Sequence, residues 1–460
     1  MTSSTRDGGP AKPQMLILGG GIGGLAAARH LDGQLGKRAA IDATLVSRDN
    51  FFLLPPLLFE ACSGVLELRH CAQPIRPCLR RVRFLEGTVT DVDVERRVAC
   101  VLLADGALHE LAYDHVVVAL GAMTNIKLIP GSEHARTFKT VADALLLRNH
   151  LIEQLERAYV ETNPEKRQEL LTIVVVGGGL VGVELLGELS AFLDDELRYY
   201  PDLRRQDLRF HLFEAGDRLI PEMKPSVAEY AVHVLRRRGA ELHTTAPVQR
   251  ITPSAVQCKE GMINAGTIVL APGIVPNAVA SAMKVEHDRR GRIVTDATLR
   301  SVSHPNVWAF GDCAATPAPG GGIYPALAQH ALRAARVAAR NVTAVIDRRA
   351  PTPFVYEPLG SMAAFGHTRA AAEVRGVTFR GFFAWWLRRT YYLFQMPRWD
   401  TRLRIAFDWT VALLVRPDLT KIDIAKVDLA DEREQERRNS AAGGSFSSPA
   451  ALTRRSTPPS

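Results

Sequence analysis

The chain has 460 residues, 47% of them hydrophobic, with a formal net charge of +8 and six cysteines. That length supports two or three compact domains. The cysteines form no CxxC pair, which argues against a zinc site, a dithiol redox centre or a secreted disulfide framework and fits a reducing compartment. No run reaches the roughly 18–20 apolar residues of a membrane-spanning helix, and the basic balance permits phosphates, nucleic acid or anionic lipid without choosing among them.

Residues 1–13 are small and polar; they carry no apolar stretch, so no signal peptide is expected and no fold is assigned to them. At 15–31, MLILGGGIGGLAAARHL reads as a strand, a glycine-rich turn and a helix. Gly19, Gly21 and Gly24 supply GxGxxG: the first permits the tight turn, the second lets a pyrophosphate approach, and the third lets helix and strand pack closely. The next strand, ATLVSRDN at 43–50, should end on an acidic residue that holds a ribose hydroxyl. Ser47 stands there instead, followed by Arg48 and Asp49. Serine can bond a hydroxyl, Asp49 can substitute, and Arg48 can lie along an adenine or a phosphate.

The same device returns at 172–189, TIVVVGGGLVGVELLGEL, with Gly177, Gly179 and Gly182. Its following strand ends at Glu214, where a carboxylate accepts from a ribose 2′-hydroxyl and repels a 2′-phosphate, predicting NADH over NADPH. Two such units imply two dinucleotides, and FAD with NADH is the usual pair, since flavin accepts a hydride from nicotinamide and passes electrons on. Glu184, in the first turns of the second helix, is favoured there by the helix dipole alone. Lone histidines such as His330 and His367 are taken as packing or surface residues.

Residues 355–425 lack the nucleotide pattern. They interleave Phe382, Phe383, Trp385, Trp386, Trp399 and Trp409 with arginines, including Arg388, Arg389 and Arg404. Aromatics beside cations fit a helix in a lipid headgroup region; core packing, a homodimer contact or single-stranded nucleic acid are the alternatives. No OB or RRM pattern accompanies them, so no nucleic-acid partner is expected. From Asp431 to the end the chain is charged, then Ser/Ala/Pro-rich, and is expected to be disordered.

Beyond these patterns, the chain resembles the two-dinucleotide-binding-domain flavoproteins and, within them, the type II NADH dehydrogenases, over roughly residues 14–425. The resemblance rests on the two glycine turns, on NFFLLPPLLFEACSG (50–64), on the strand-and-turn segments YDHVVVALGAMTN (113–125) and TIVLAPGIVPN (267–277), on HPNVWAFGDCAA (304–315) and on YPALAQHALRAARVAARN (324–341). It implies that 50–64 runs under the flavin ring and that Gly121 and Gly273 close the two crossovers. It implies further that Gly311 and Asp312 hold the ribityl chain, and that the helix starting at Ala328-Gln329 faces the flavin with Gln329 near the quinone. Arg333 replaces the family's second glutamine there. Glu184 is implied to lie beside the nicotinamide and flavin rings and to handle protons.

The expected fold class is α/β, with two Rossmann-like dinucleotide-binding domains of the glutathione-reductase type, without the dimerisation domain, plus a C-terminal membrane-associating region. The expected order is 14–145 and 290–350 for FAD, 146–289 for NAD, 351–430 for the membrane region and 431–460 for a tail. The expected activity is NADH:quinone oxidoreduction without proton pumping, peripheral on the cytoplasmic face of the cell membrane, with catalytic Glu184 and Gln329 and no metal. A sulfide:quinone reductase, a soluble reductase of a protein acceptor and a non-catalytic NADH sensor are the rival readings.

Overall fold

The structure is a computed structural model and describes residues 12–35, 41–126, 128–271, 273–358, 360–416 and 418–422. The two ends expected to be disordered lie outside these residues, apart from Lys12 and Pro13. The chain divides into two compact units, Met1–Leu419 and Thr420–Ser460, and every strand and helix among the described residues lies in the first.

The first sheet takes four strands from the first part of the chain: β1 (Gln14–Leu18), β2 (Asp42–Ser47), β3 (Arg83–Glu86) and β4 (His115–Val118). The chain then leaves to build β5 (Arg136–Thr137), β6 (Thr172–Val176), β7 (Arg209–Phe213), β8 (Ala240–His243) and β9 (Thr267–Leu270), and returns with β10 (Val307–Ala309). Two five-stranded sheets result, β10-β4-β1-β2-β3 and β5-β9-β6-β7-β8, and every pairing in them is parallel. Parallel strands are covered on both faces, which is why β6 is the unbroken apolar run TIVVV and is buried at every position.

In each sheet the strand before the glycine turn is central. The next strand in sequence lies on one side of it and a later strand on the other, so a crevice opens where the order reverses, outside the carboxyl ends of the strands. Registers fix what gathers there. Leu18 is level with Val118, and Val118 with Ala309, so the Gly19 turn, Gly121 and Gly311-Asp312 leave the same edge of the first sheet. Val176 is level with Phe213 and Leu270, which sets the Gly177 turn, Glu214 and the segment holding Gly273 along one edge of the second. The two crossovers meet in a short antiparallel pair, Ala122 opposite Pro276.

The helices that matter are α1 (Ile22–Leu35), α2 (Val141–Val160), α3 (Leu180–Glu196), α4 (Ala328–Ile346), α5 (Phe382–Gln395) and α6 (Trp399–Leu414). Thr140 starts α2 with a capping box: its hydroxyl accepts from Asp143 N at 3.1 Å while the Asp143 carboxylate accepts from Thr140 N at 2.9 Å. Helices α1 and α4 pack together through buried alanines, Ala27 and Ala28 on one and Ala334, Ala335 and Ala338 on the other. The helix expected within 324–341 begins at Ala328, as expected, because Leu327 is extended, and runs on beyond 341 through the apolar AVI to Ile346.

The C-terminal region is more compact than its sequence suggests. A three-stranded antiparallel sheet (Gly360–Ala364, Ala370–Val374, Val377–Arg380) precedes α5 and α6. The buried residues of α5 are Ala384, Trp385, Arg388 and Arg389, a spacing that makes one helical face. That face, with Trp409 of α6, looks inward, so these four aromatic and basic residues belong to the core and not to a lipid surface.

Candidate functional site

Both glycine turns meet the requirements of a dinucleotide cradle, and they do so in the same way. Gly19 has φ +105° and Gly177 φ +115°, a region that L side chains rarely enter. A Cβ on Gly24 would come within 1.7 Å of the Gly19 carbonyl oxygen, and one on Gly182 within 1.9 Å of the Gly177 oxygen. Between them Gly21 has no protein atom within 4 Å of an added Cβ, and Gly179 has only Glu222 Oε1 at 3.8 Å. Crowded first and third positions around an open second one leave space where a pyrophosphate approaches the backbone and the helix N-terminus behind it.

The ends of the second strands correspond too. Gly19 N donates to Val46 O and Gly177 N to Phe213 O, each at 2.8 Å. Gly20 packs against Ser47, as Gly178 packs against Glu214. Ser47 therefore occupies the place that Glu214 holds in the second unit. Glu214 is held firmly: Gly178 N donates to Oε2 at 2.7 Å and Gly216 N to Oε1 at 2.6 Å. Each oxygen keeps a lone pair for a further donor. Arg48 and Asp49 pair with each other at 3.1 Å on the surface. Glu222, unmarked by any sequence signal, accepts from Leu180 N at 2.8 Å and so puts an anion on the N-terminus of α3.

On the first sheet, Gly311 (φ +76°) turns the chain so that Asp312 follows directly. Burial raises the Asp312 carboxyl above the ordinary carboxylate range, and the nearby Lys139 ammonium opposes that rise. Gln329 lies in the first turn of α4. Its amide donates to Gly360 O at 3.3 Å and its oxygen accepts from the Tyr356 hydroxyl at 3.3 Å. The Arg333 guanidinium stands 5.7 Å from the Tyr356 ring centroid. Gln329 is thus tied to the C-terminal sheet.

Glu184 is buried. Its Oε1 accepts from Ala364 N at 2.8 Å and pairs with Arg388 Nη2 at 3.0 Å. Burial pushes its carboxyl upward and Arg388 pulls it back. Arg388, Arg389, Glu60 and Glu188 complete a buried charged cluster around it. Sequence reasoning missed that cluster, although one signal was present. Arg388 and Arg389 share a helical face with Ala384 and Trp385, and arginines on a buried face require carboxylate partners.

All six cysteines are free. Burial pushes the Cys62 and Cys71 thiols up to about 12 and Cys313 up to about 11, so these thiols stay protonated and unreactive. Among the described residues one trio offers metal-ligand atoms, His211, Glu241 and His243. His211 Nδ1 and His243 Nε2 are 3.2 Å apart while the ring centroids are 5.5 Å apart. The nitrogens thus oppose each other along the line between the rings, as a hydrogen-bonded pair does, and do not converge on a common point.

The pyridine nucleotide-disulphide oxidoreductase family model matches residues 13–338. The type II NADH:quinone oxidoreductase Ndh of Mycobacterium tuberculosis is 30% identical over 425 residues, covering 88% of this chain and 89% of that protein. NdhA of the same organism is 30% identical, covering 88% and 87%. Among solved structures, NDH2 of Plasmodium falciparum in complex with NADH superposes with a TM-score of 0.82 at 20% identity, covering 89% of this chain and all of that one. Duplicated cradles on two parallel sheets, together with these matches, establish that the chain belongs to the pyridine nucleotide-disulphide oxidoreductase family and, within it, to the type II NADH:quinone oxidoreductases.

Proposed function

We propose that the chain oxidises NADH through a bound FAD and reduces a membrane quinone, without moving protons across the membrane. The observation that carries this is the pair of matched cradles, one on each sheet. FAD, when bound, supplies the redox chemistry, accepting two electrons from NADH and releasing them to the quinone.

In this reading FAD lies in an interrupted domain, about 14–145 and 290–350, and NADH in the inserted 146–289. Gly19, Gly21 and Gly24 receive the FAD pyrophosphate, and α1 adds its dipole. Ser47 takes the ribose end with one hydroxyl in place of a carboxylate, Arg48 and Asp49 flanking it. Asp312 accepts from the ribityl hydroxyls. Gly121, Gly311, Ala328 and Gln329 line the flavin. Gly177, Gly179, Gly182 and Gly273 receive NADH, and Glu214 accepts from its ribose while repelling a 2′-phosphate. Glu184 holds or releases a proton near the nicotinamide; Gln329 stands at the quinone side.

The membrane reading rests on α6. Trp399, Leu403, Phe407 and Leu414 recur at helical spacing and are 72%, 60%, 69% and 83% exposed. An exposed apolar stripe on a surface helix fits insertion to headgroup depth, and among the described residues no helix is long and apolar enough to cross a bilayer. We place the protein peripherally, on the cytoplasmic face, with α6 in the interface.

The test is anaerobic. NADH should bleach the flavin absorbance and a short-chain quinone should restore it rapidly. Bleaching without recovery would point to a protein acceptor or a sensor; no bleaching would remove the donor assigned to the second cradle.

A further inference from the structure

The buried charged cluster is assembled from three helices. Glu60 comes from the short helix Leu58–Cys62, Glu184 and Glu188 from α3, and Arg388 and Arg389 from α5. All five are buried. Arg388 lies 3.0 Å from Glu184 Oε1 and 3.6 Å from Glu60 Oε1, and Arg389 lies 3.2 Å from that same Glu60 oxygen. The Trp409 indole donates to the other Glu60 oxygen at 2.5 Å. Among the described residues the hydrogen-bond donor to Glu188 is a neutral one, the Ser63 hydroxyl, 2.6 Å from its Oε1.

At ion-pair distance three carboxyls therefore share two guanidiniums, and a third, Arg238, attracts Glu188 without pairing with it among the described residues. An uncompensated charge in such an interior is strongly disfavoured, and a proton removes it. Glu60 has two arginines and an indole N–H, and Glu184 has an arginine and a backbone N–H, so the proton belongs on Glu188. Burial and the Glu60 carboxylate raise Glu188 above the ordinary range, against Ser63, Arg389 and Arg238. Arg238 directs its donors to the carbonyls of Gly187 and Gly366 and to the Ser190 hydroxyl. The neighbouring Cys62 thiol is pushed up to about 12 and stays neutral.

A cavity of about 90 Å³ adjoins this carboxyl. Glu60, Ser63 and Glu188 line its buried wall, and Asp195, His367 and Thr368 line it farther out. The His367 side chain is 45% exposed and pairs with Asp195 at 3.7 Å, which places that end at solvent. The volume is several times the roughly 10–15 Å³ that one water needs, and the carboxyl, hydroxyl and imidazole groups among its lining give waters partners.

The reaction needs such a path. NADH, a quinone and one proton give NAD and a quinol: NADH brings one hydrogen with both electrons, and the other hydrogen must come from water. We propose that this cavity is the proton inlet of the enzyme, with Glu188 as its relay carboxyl and Glu184, one turn nearer the Gly177 cradle on the same helix face, as the next station. The proton leaves the Glu188 carboxyl for Glu184 and passes on to the reduced acceptor, and cavity water reprotonates Glu188 from the His367–Asp195 end. One solvent proton is consumed per quinone reduced. The proton's destination rests on the function proposed above; the protonated state of Glu188 does not.

Two measurements separate these layers. In flavin-free protein, the infrared difference between wild type and Glu188→Gln should show a carboxylic acid carbonyl band at neutral pH. A carboxylate signal instead overturns the inference, even if NADH still reduces quinone. In holoenzyme, Glu188→Gln should slow quinone reduction about tenfold or more and flatten its decline at alkaline pH, Glu188→Asp should restore both, and bleaching by NADH, which consumes no solvent proton, should keep its rate. Wild-type quinone reduction at every pH in Glu188→Gln overturns the inlet. Should that variant fail to fold, Ser63→Ala should shift the alkaline limb of the same profile, and an unmoved limb has the same force. Failure of wild type to bleach with NADH would sink the proposed function and leave the infrared result standing.

Discussion

Replacing Arg388 with methionine removes the cation that two buried carboxylates share. The arginine side chain is 1% exposed. Besides pairing with Glu184 at 3.0 Å and Glu60 at 3.6 Å, it donates to the Pro56 carbonyl at 3.0 Å and lies 5.0 Å from the Tyr392 ring centroid. Methionine keeps most of the stem packing, so the loss is chiefly electrostatic. Removing one partner of a buried pair costs about 3–5 kcal/mol. Glu60 retains Arg389 and Trp409, so the burden falls on Glu184 and the lower figure, about 3 kcal/mol, applies. With a melting shift of about 1–2 °C per kcal/mol, carrying the size trend to a chain of this length, the midpoint should fall about 3–6 °C. The sign of its pH dependence is fixed. Burial already holds Glu184 above its unfolded value, and without Arg388 it rises further. A carboxyl raised in the native state contributes its stability below the unfolded pKa and loses it as pH rises through the native one. The variant should therefore lose most at alkaline pH and approach wild type as the pH falls towards about 5, near the unfolded carboxyl range. Melting curves of both proteins across pH measure this. An equal deficit at every pH would mean that Arg388 acts by packing alone and would refute the electrostatic account.

The glycines of the first cradle should separate by what they touch. Gly21→Ala meets open space and should fold normally yet retain little flavin, whereas Gly24→Ala collides with the Gly19 carbonyl and should lower the melting midpoint itself; similar stabilities for the two would contradict the geometry. Glu214→Gln should reduce the preference for NADH over NADPH about tenfold, roughly 1.4 kcal/mol, read as the ratio of kcat/KM values, and an unchanged ratio would remove its role. Glu222→Ala takes an anion off the N-terminus of α3, an interaction of about 0.3–1 kcal/mol, so the KM for NADH should fall about two- to five-fold; a rise would show that Glu222 helps to hold the nucleotide. Trp399→Ser with Phe407→Ser should weaken sedimentation with anionic liposomes by tenfold or more, given about 1.5–3 kcal/mol per fully buried side chain, and retention at the wild-type level would shift the stripe to another use.

The α/β fold with two dinucleotide units was legible because its signals are local. An apolar run, a glycine at the strand end and another five residues later lie within one supersecondary unit, and the steric reasons for each glycine act between near neighbours: Gly24 abuts Gly19, and Gly182 abuts Gly177. Ser47 and Glu214 are more distant in sequence but still end the next strand of the same sheet, so counting strands reaches them. The charged cluster had no such route. Arg389 meets Glu60 across 329 residues, and each, taken alone, looks like something else: the arginine like a lipid contact, the glutamate like a surface residue in an apolar segment. Their pairing exists only because the C-terminal sheet lays α5 over α3 and over the segment after β2. The same closure explains why the aromatic region divides its residues. Trp385 and Trp409 shield a buried carboxylate, while Trp399 and Phe407, on α6, stay outside. A sequence shows that a helix has arginines and aromatics on it; which of them meets water is decided by what the opposite face must neutralise. Here that requirement is Glu60 and Glu184, so the C-terminal region serves as a wall of the candidate site.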